Sequence, residues 1–187
     1  MRKFKCDFFV LALVLGFLFI VSTYLSANNN FKLRSDSFTN KSNIPTKYAY
    51  TYVSGSKNIS ISLKWFSKPI GTKSFAIIMW DKHPVAESWV HWLVIDIADN
   101  ISNIEEGASN SEKMPRNSIE LINSFGDKGY GGPGPPRGSG KHIYVITIYA
   151  LNVKRLNLSG EISKKDFLSA IAGKVLKESS IIGYYER

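Results

Sequence analysis

Three apolar runs separated by polar or glycine-rich stretches limit the fold of this chain more than any other feature: Ser74 to Trp80 (SFAIIMW), Trp89 to Ile97 (WVHWLVIDI) and Lys141 to Leu151 (KHIYVITIYAL). Their length and their β-branched and aromatic content suit strands. The first is apolar throughout, as a strand covered on both faces would be. In the second, alternation predicts Trp89, His91, Leu93, Ile95 and Ile97 on one side, so that His91 points where the apolar residues do. In the third, His142, Tyr144, Ile146 and Ile148 share a face. Upstream, Tyr48, Tyr50 and Tyr52 alternate, and so do Ile59, Ile61, Leu63 and Trp65, which predicts two half-buried strands. Only near the C-terminus does the period lengthen. Ser163 and Asp166 form a capping-box-like start, and Phe167, Leu168, Ile171, Ala172, Val175 and Leu176 recur at helical spacing. The expectation is a mainly β fold, one amphipathic helix on the sheet, and a short closing strand from Ser180 to Tyr185.

The chain's 187 residues suggest one folded domain with a substantial core. Its first residues stand apart. Arg2, Lys3 and Lys5 precede an apolar run from Phe8 to Leu25, so residues 1–27 read as an export signal or a membrane anchor. Either reading places the rest outside the cytoplasm, in the periplasm or the extracellular space, with residues 8–25 as the anchor if the segment is retained. Residues 28–46, biased to Asn, Ser and Lys, read as a polar tether, and residues 47–187 as the domain. The single cysteine, Cys6, lies before the apolar run, which leaves the exported part without a disulfide or a cysteine metal site. Of the formal charge of +9, the segment up to Asp7 carries +2, leaving +7 for the remainder. That balance favours phosphorylated ligands or an anionic membrane surface. Nucleic acid is not expected, because the chain has no basic helix and no aromatic-basic ribonucleoprotein motif.

The chemistry concentrates in one tract. Gly126 to Gly140 (GDKGYGGPGPPRGSG) holds seven of the fourteen glycines and three of the seven prolines, and it runs into His142 and Tyr144. Such composition suits either an interdomain linker or a stiff loop whose glycine amides approach an anion. The strand that follows without a spacer argues for the loop. His83, His91 and His142 all fall in or beside this tract and the Asp81–Pro84 loop. They could surround a phosphate or carboxylate as hydrogen-bond donors, with Asp81 orienting an imidazole. A three-histidine zinc site is the competing arrangement, although the spacing matches no helical zinc motif. Gly140-Lys141 is followed by His142 rather than Ser or Thr, so there is no phosphate-binding P-loop, and no cofactor is expected. Ser139 sits in a GSG context, but no serine occupies a G-x-S-x-G elbow.

Asp81 in DKHP, WVHW (Trp89 to Trp92), IEEG (Ile104 to Gly107), FGDKGYGGPGPPRGSGKHIY (Phe125 to Tyr144), YAL (Tyr149 to Leu151) and the closing GYYER together resemble the bacterial branch of the phosphatidylethanolamine-binding protein, or Raf kinase inhibitor-like, family. The resemblance runs from about Tyr48 to Arg187. It implies an antiparallel Greek-key β-sandwich with peripheral helices and a small surface pocket for phosphate, acetate or a phosphorylated headgroup. By position the pocket residues are Asp81, His91, Gly132, Gly134, His142 and Tyr144. The family usually carries D-P-D-x-P in the first loop. Here His83 stands at the second acid and Lys82 at the first proline, so His83 joins the ligand-binding set as an added cationic group. The implied role is non-enzymatic binding. Inhibition of a kinase or protease partner is the alternative, a metal-dependent hydrolase a more distant one, and the resemblance also allows a homodimer.

Overall fold

The computed structural model describes residues 30–187, and the expected export signal or anchor, 1–27, lies outside the described residues. The strands are β1 (Lys32–Arg34), β2 (Ser42–Asn43), β3 (Leu63–Phe66), β4 (Ser74–Asp81), β5 (Val90–Ala98), β6 (Asn103–Ile104), β7 (Ile119–Glu120), β8 (His142–Leu151) and β9 (Val175–Tyr185). One helix, α1 (Lys164–Ile171), precedes β9, and Thr46–Tyr48 and Pro84–Ala86 form short 3-10 turns.

The strands form two sheets, β1-β3-β6 and β2-β9-β8-β4-β5-β7, antiparallel throughout except for β2 beside β9. The uniform hydrophobicity of β4 follows from its place in the middle of the large sheet, with apolar layers on both faces. On one face Phe75, Ile77 and Met79 pack with Leu33, Leu63 and Trp65 of the small sheet. There the Trp65 and Phe75 rings meet edge to face at 5.4 Å. On the other face Ala76 and Ile78 join Leu93, Ile95, Leu151 and the α1 residues Phe167 and Ile171. Burying a side chain such as Phe167 stabilises by about 2 kcal/mol, which is what holds so short a helix in place.

Four local expectations change. The segment predicted as a polar tether is part of the fold from Phe31 onward: Phe31, Leu33, Phe38 and Ile44 are buried, and β1 pairs with β3. Its serines are used internally, as Ser37 Oγ accepts from Ser62 N–H at 2.9 Å, so polar composition masked a packed segment. The tyrosine run is not a strand. Pro45 opens a 3-10 turn, and the Tyr48, Tyr50 and Tyr52 hydroxyls donate to Glu106, Asp127 and the Gly134 carbonyl respectively. The helix stops at Ile171, and Gly173 at φ 73° turns the chain, so Val175 and Leu176 belong to β9 rather than to the helical stripe.

The fourth change concerns β5. Opposite β4, Ile97 pairs with Phe75 but Val94 with Ile77, and Trp92 pairs with Met79 but Val90 with Trp80. One residue is therefore extra at each place. Asp96, at φ 58°, takes up the first, and His91 is the extra residue at the second. Strict alternation is broken twice: Trp92, Val94 and Ile97 face the core shared by the two sheets, while Val90, Leu93 and Ile95 face the helix.

The helix start matches its sequence signature, with Ser163 Oγ accepting from Asp166 N–H at 3.1 Å. Replacing Ser163 by Ala is expected to lower stability by about 1 kcal/mol, read as a lower urea midpoint at unchanged slope.

Candidate functional site

The site forms where β4 ends and β8 begins. Antiparallel register sets Asp81 opposite Tyr144, so the side chains of Asp81, His142 and Tyr144 emerge on the face that lower down carries Met79 and Ile146. The bulge in β5 supplies His91, whose ring meets Tyr144 edge to face at 5.0 Å. The glycine-proline tract closes the end, tied to β5 by Gly131 N–H donating to His91 O at 2.8 Å. Together these elements bound a cavity of about 210 Å³. Its polar lining is Asp81, His91, Gly134, His142 and Tyr144, and its walls are Tyr52, Val85, Ala86, Trp89, Phe125, Pro135 and Pro136. A larger cleft, about 1040 Å³ beside α1, contains none of the expected site residues.

Two expected ligand residues stand elsewhere. Gly132 does not line the cavity: its N–H donates to Asn58 Oδ1 at 2.8 Å, and a Cβ there would lie 1.9 Å from Tyr48 O. Glycine is required for that close approach to the Tyr48–Ala49 backbone, not for ligand contact. His83 lies outside the lining, stacked on the His142 ring with centroids 3.9 Å apart and planes 16° apart. Its N–H donates to Asp81 Oδ1 at 2.8 Å, and its Nδ1 accepts from Val85 N–H at 3.3 Å. The expected array of glycine amides is mostly spent within the protein, on His91 O, Asn58 and, from Gly138, on Arg187 O. Pro133, Pro135 and Pro136 have no N–H to offer. The Gly134 and Gly140 amides remain, with no acceptor among the described residues, and of the two only Gly134 lines the cavity.

The titratable groups have distinct states. His91 is fully buried, and that burial pulls its imidazole down to about 4, against smaller opposing effects of the Gly131 carbonyl and the Asp81 charge. It is therefore neutral near pH 7. Its Nδ1–H donates to Gly131 O at 2.7 Å and Gly132 O at 3.1 Å, which leaves Nε2 as an acceptor. The Tyr144 side chain is wholly buried, yet its hydroxyl has no hydrogen-bond partner among the described residues. Burial, and then the nearby Asp81 carboxylate, which approaches the hydroxyl without hydrogen-bond geometry, raise its pKa, so it stays a neutral donor. His142 Nδ1 lies 2.5 Å from Asp81 Oδ2, and its Nε2 lies 2.9 Å from Ser139 Oγ. Both His142 nitrogens and His83 Nδ1 are engaged by protein groups, and the three-histidine zinc arrangement does not assemble. Among the described residues no three His, Cys, Asp or Glu side chains converge on a metal position.

The aromatic walls are not among the expected site residues, and Ser139, set aside in the sequence as part of a GSG context, stands against His142. Phe125 stacks on Tyr50 at 3.8 Å and meets Trp89 and His91 edge to face. The available signals were Phe125 directly before the glycine tract and Ser139 three residues before His142.

A family model described as phosphatidylethanolamine-binding protein matches residues 34–186. A UPF0098 protein of Aquifex aeolicus is 40% identical over 155 residues, covering 82% of this chain and 86% of the relative. The crystal structure of Escherichia coli YbcL, described as a member of the mammalian family, superposes with a TM-score of 0.78 at 26% identity, over 84% of this chain and 99% of that one. The homologue CT736 of Chlamydia trachomatis gives a TM-score of 0.70 at 29% identity, over 85% and 99% of the two chains.

The buried His91 makes stability pH-dependent. Its folded pKa lies below its unfolded value, so the unfolded chain binds the proton first, and stability falls as pH drops from about 6.5 towards 4. That single group contributes a loss on the order of 3 kcal/mol across this window. Urea titrations at several pH values should give a shallower pH slope for His91→Asn than for the parent, whatever the variant's stability at pH 7.

Proposed function

Because the chain belongs to the phosphatidylethanolamine-binding protein family, we propose that its pocket binds a small anion, a phosphate or carboxylate or the phosphorylated headgroup of a larger molecule. The observation that carries this reading is the Tyr144 hydroxyl, buried at the cavity with no partner among the described residues. A buried donor left unpaired costs about 1–3 kcal/mol, and a ligand oxygen relieves that cost. The Gly134 N–H is a second donor to the same ligand. His91 Nε2 is an acceptor, which suits the proton on a singly ionised phosphate or, once protonated, becomes a third donor. Asp81 disfavours a fully ionised ligand but is set against His142 at 2.5 Å. The volume of about 210 Å³ limits the occupant to a headgroup-sized moiety, with any remainder outside. Export, and a net charge of +7 beyond Asp7, would bring the pocket to anionic membrane surfaces.

A second reading has one observation in its favour. Val85, Tyr52 and Trp89 at the cavity mouth are 62%, 53% and 40% exposed, an apolar rim on which a protein partner could rest while its phosphorylated or acidic residue enters.

Calorimetry with inorganic phosphate and phosphoethanolamine separates these readings from failure. Saturable binding to the parent is expected, with Tyr144→Phe weakening it about tenfold or more. Affinity for phosphoethanolamine is expected to rise as pH falls from 8 to 6, because the complex holds a proton between ligand and His91 that the free partners above about pH 6 do not. Absence of binding to either compound, or an affinity indifferent to Tyr144→Phe, removes the pocket reading.

A further inference from the structure

Asp81, His142 and Ser139 form one continuous carboxylate–imidazole–hydroxyl series. Asp81 Oδ2 lies 2.5 Å from His142 Nδ1, and Ser139 Oγ lies 2.9 Å from His142 Nε2, so the two groups meet opposite nitrogens of one ring. The parts that must be rigid are held. The carboxylate is fixed by His83 N–H at 2.8 Å, the imidazole is covered on one face by the His83 ring, and Asp81 and His142 are 4% and 1% exposed. The part that must meet a substrate is open. Ser139 is only half-buried, and its neighbours Gly138 and Gly140 are so uncrowded that a Cβ built on either meets nothing within 4 Å. The Gly140 amide has no acceptor among the described residues and follows the serine directly, the position from which a backbone N–H stabilises an oxyanion next to a serine nucleophile.

We propose that this series hydrolyses esters of short-chain carboxylic acids, with Ser139 as nucleophile, His142 as general base and Asp81 as the positioning residue for the imidazole. Such a relay is recognised by geometry rather than by chain order, which here runs Asp81, Ser139, His142. At rest Ser139 Oγ also lies 2.7 Å from Pro136 O, so its one proton has two acceptors and must turn from that carbonyl onto Nε2. Oγ then attacks the ester carbonyl carbon while Nε2 takes the proton. The carbon–oxygen bond to the alcohol breaks, and the departing oxygen receives that proton. Water attacks the acyl-serine in the same way, returns a proton to Oγ and releases the acid, with no other reactant. Ser139 does not itself line the cavity of about 210 Å³ but adjoins it, its Oγ bonding two residues that do, Pro136 and His142, and, resting on the proposed anion binding, the carboxylate product is a small anion of the kind that the cavity takes.

The test uses the full chain and p-nitrophenyl acetate. Nitrophenolate release is expected to fall at least about 100-fold in Ser139→Ala. A fluorophosphonate probe is expected to label Ser139, located by peptide mass spectrometry. The urea midpoint of Ser139→Ala, measured alongside, separates loss of the nucleophile from loss of the fold. Asp81→Asn is expected to lower kcat by a similar factor and to shift the pH profile of kcat, a shift that a smaller folded fraction does not produce. Turnover that persists in Ser139→Ala, label on another residue, or no turnover above buffer overturns the proposal. A parent that binds phosphate without cleaving ester leaves the pocket reading standing alone, and one that cleaves ester without binding phosphate does the reverse.

Discussion

The pocket end of this protein is arranged around one buried contact, Asp81 to His142 at 2.5 Å. A carboxylate withdrawn from water costs several kcal/mol unless its oxygens are satisfied, and removing one member of such a pair strands the other. Everything adjacent serves that requirement. Register between β4 and β8 brings the two residues to the same sheet end, the Asp81–Pro84 loop folds back so that His83 N–H reaches the second carboxylate oxygen, and the His83 ring covers His142. His83 thus has a structural task beside the pocket. Its imidazole stacks where a carboxylate could not.

The glycine-proline tract works mainly through shape. Its backbone passes so close to Tyr48 that Gly132 admits no side chain, and at Gly134 a Cβ would displace the Tyr52 hydroxyl. Its amides tie the loop to β5, to Asn58 and to the C-terminal residue, so the loop is held in place by the donors it was expected to offer. The prolines and the aromatic rings then enclose the cavity. Polarity inside is left to few groups, the Tyr144 hydroxyl, His91 Nε2 and the Gly134 amide, which makes each of them count.

The large-sheet strands were legible because their apolar runs are long and unmixed. β4 and β8 follow their predicted faces, and the helix begins at the serine that its capping pattern marks. Local period failed where another force set the conformation. The tyrosines at 48, 50 and 52 alternate as strand residues do, yet Pro45 and three hydroxyl hydrogen bonds made them a loop. Val175 and Leu176 continue a helical stripe on paper, but Gly173 and the long edge of β8 drew them into a strand. The segment after Phe31 looks polar in composition and is anchored by a few well-spaced apolar side chains.

By itself the sequence determined the mainly β architecture, the common face of His142 and Tyr144, and the family to which the motifs belong. These rest on side-chain alternation and on residues adjacent in the chain, and both survive any register. Tertiary structure decided the rest. The bulges in β5 turned His91 towards Tyr144, packing consumed most glycine amides, and the turn at Gly138–Gly140 set Ser139 against His142 while Asp81 came from a strand 61 residues away from it. The reason is geometric. A hydrogen bond requires its atoms to be placed within a few tenths of an ångström, and between strands that placement depends on register and bulges, which no local period encodes.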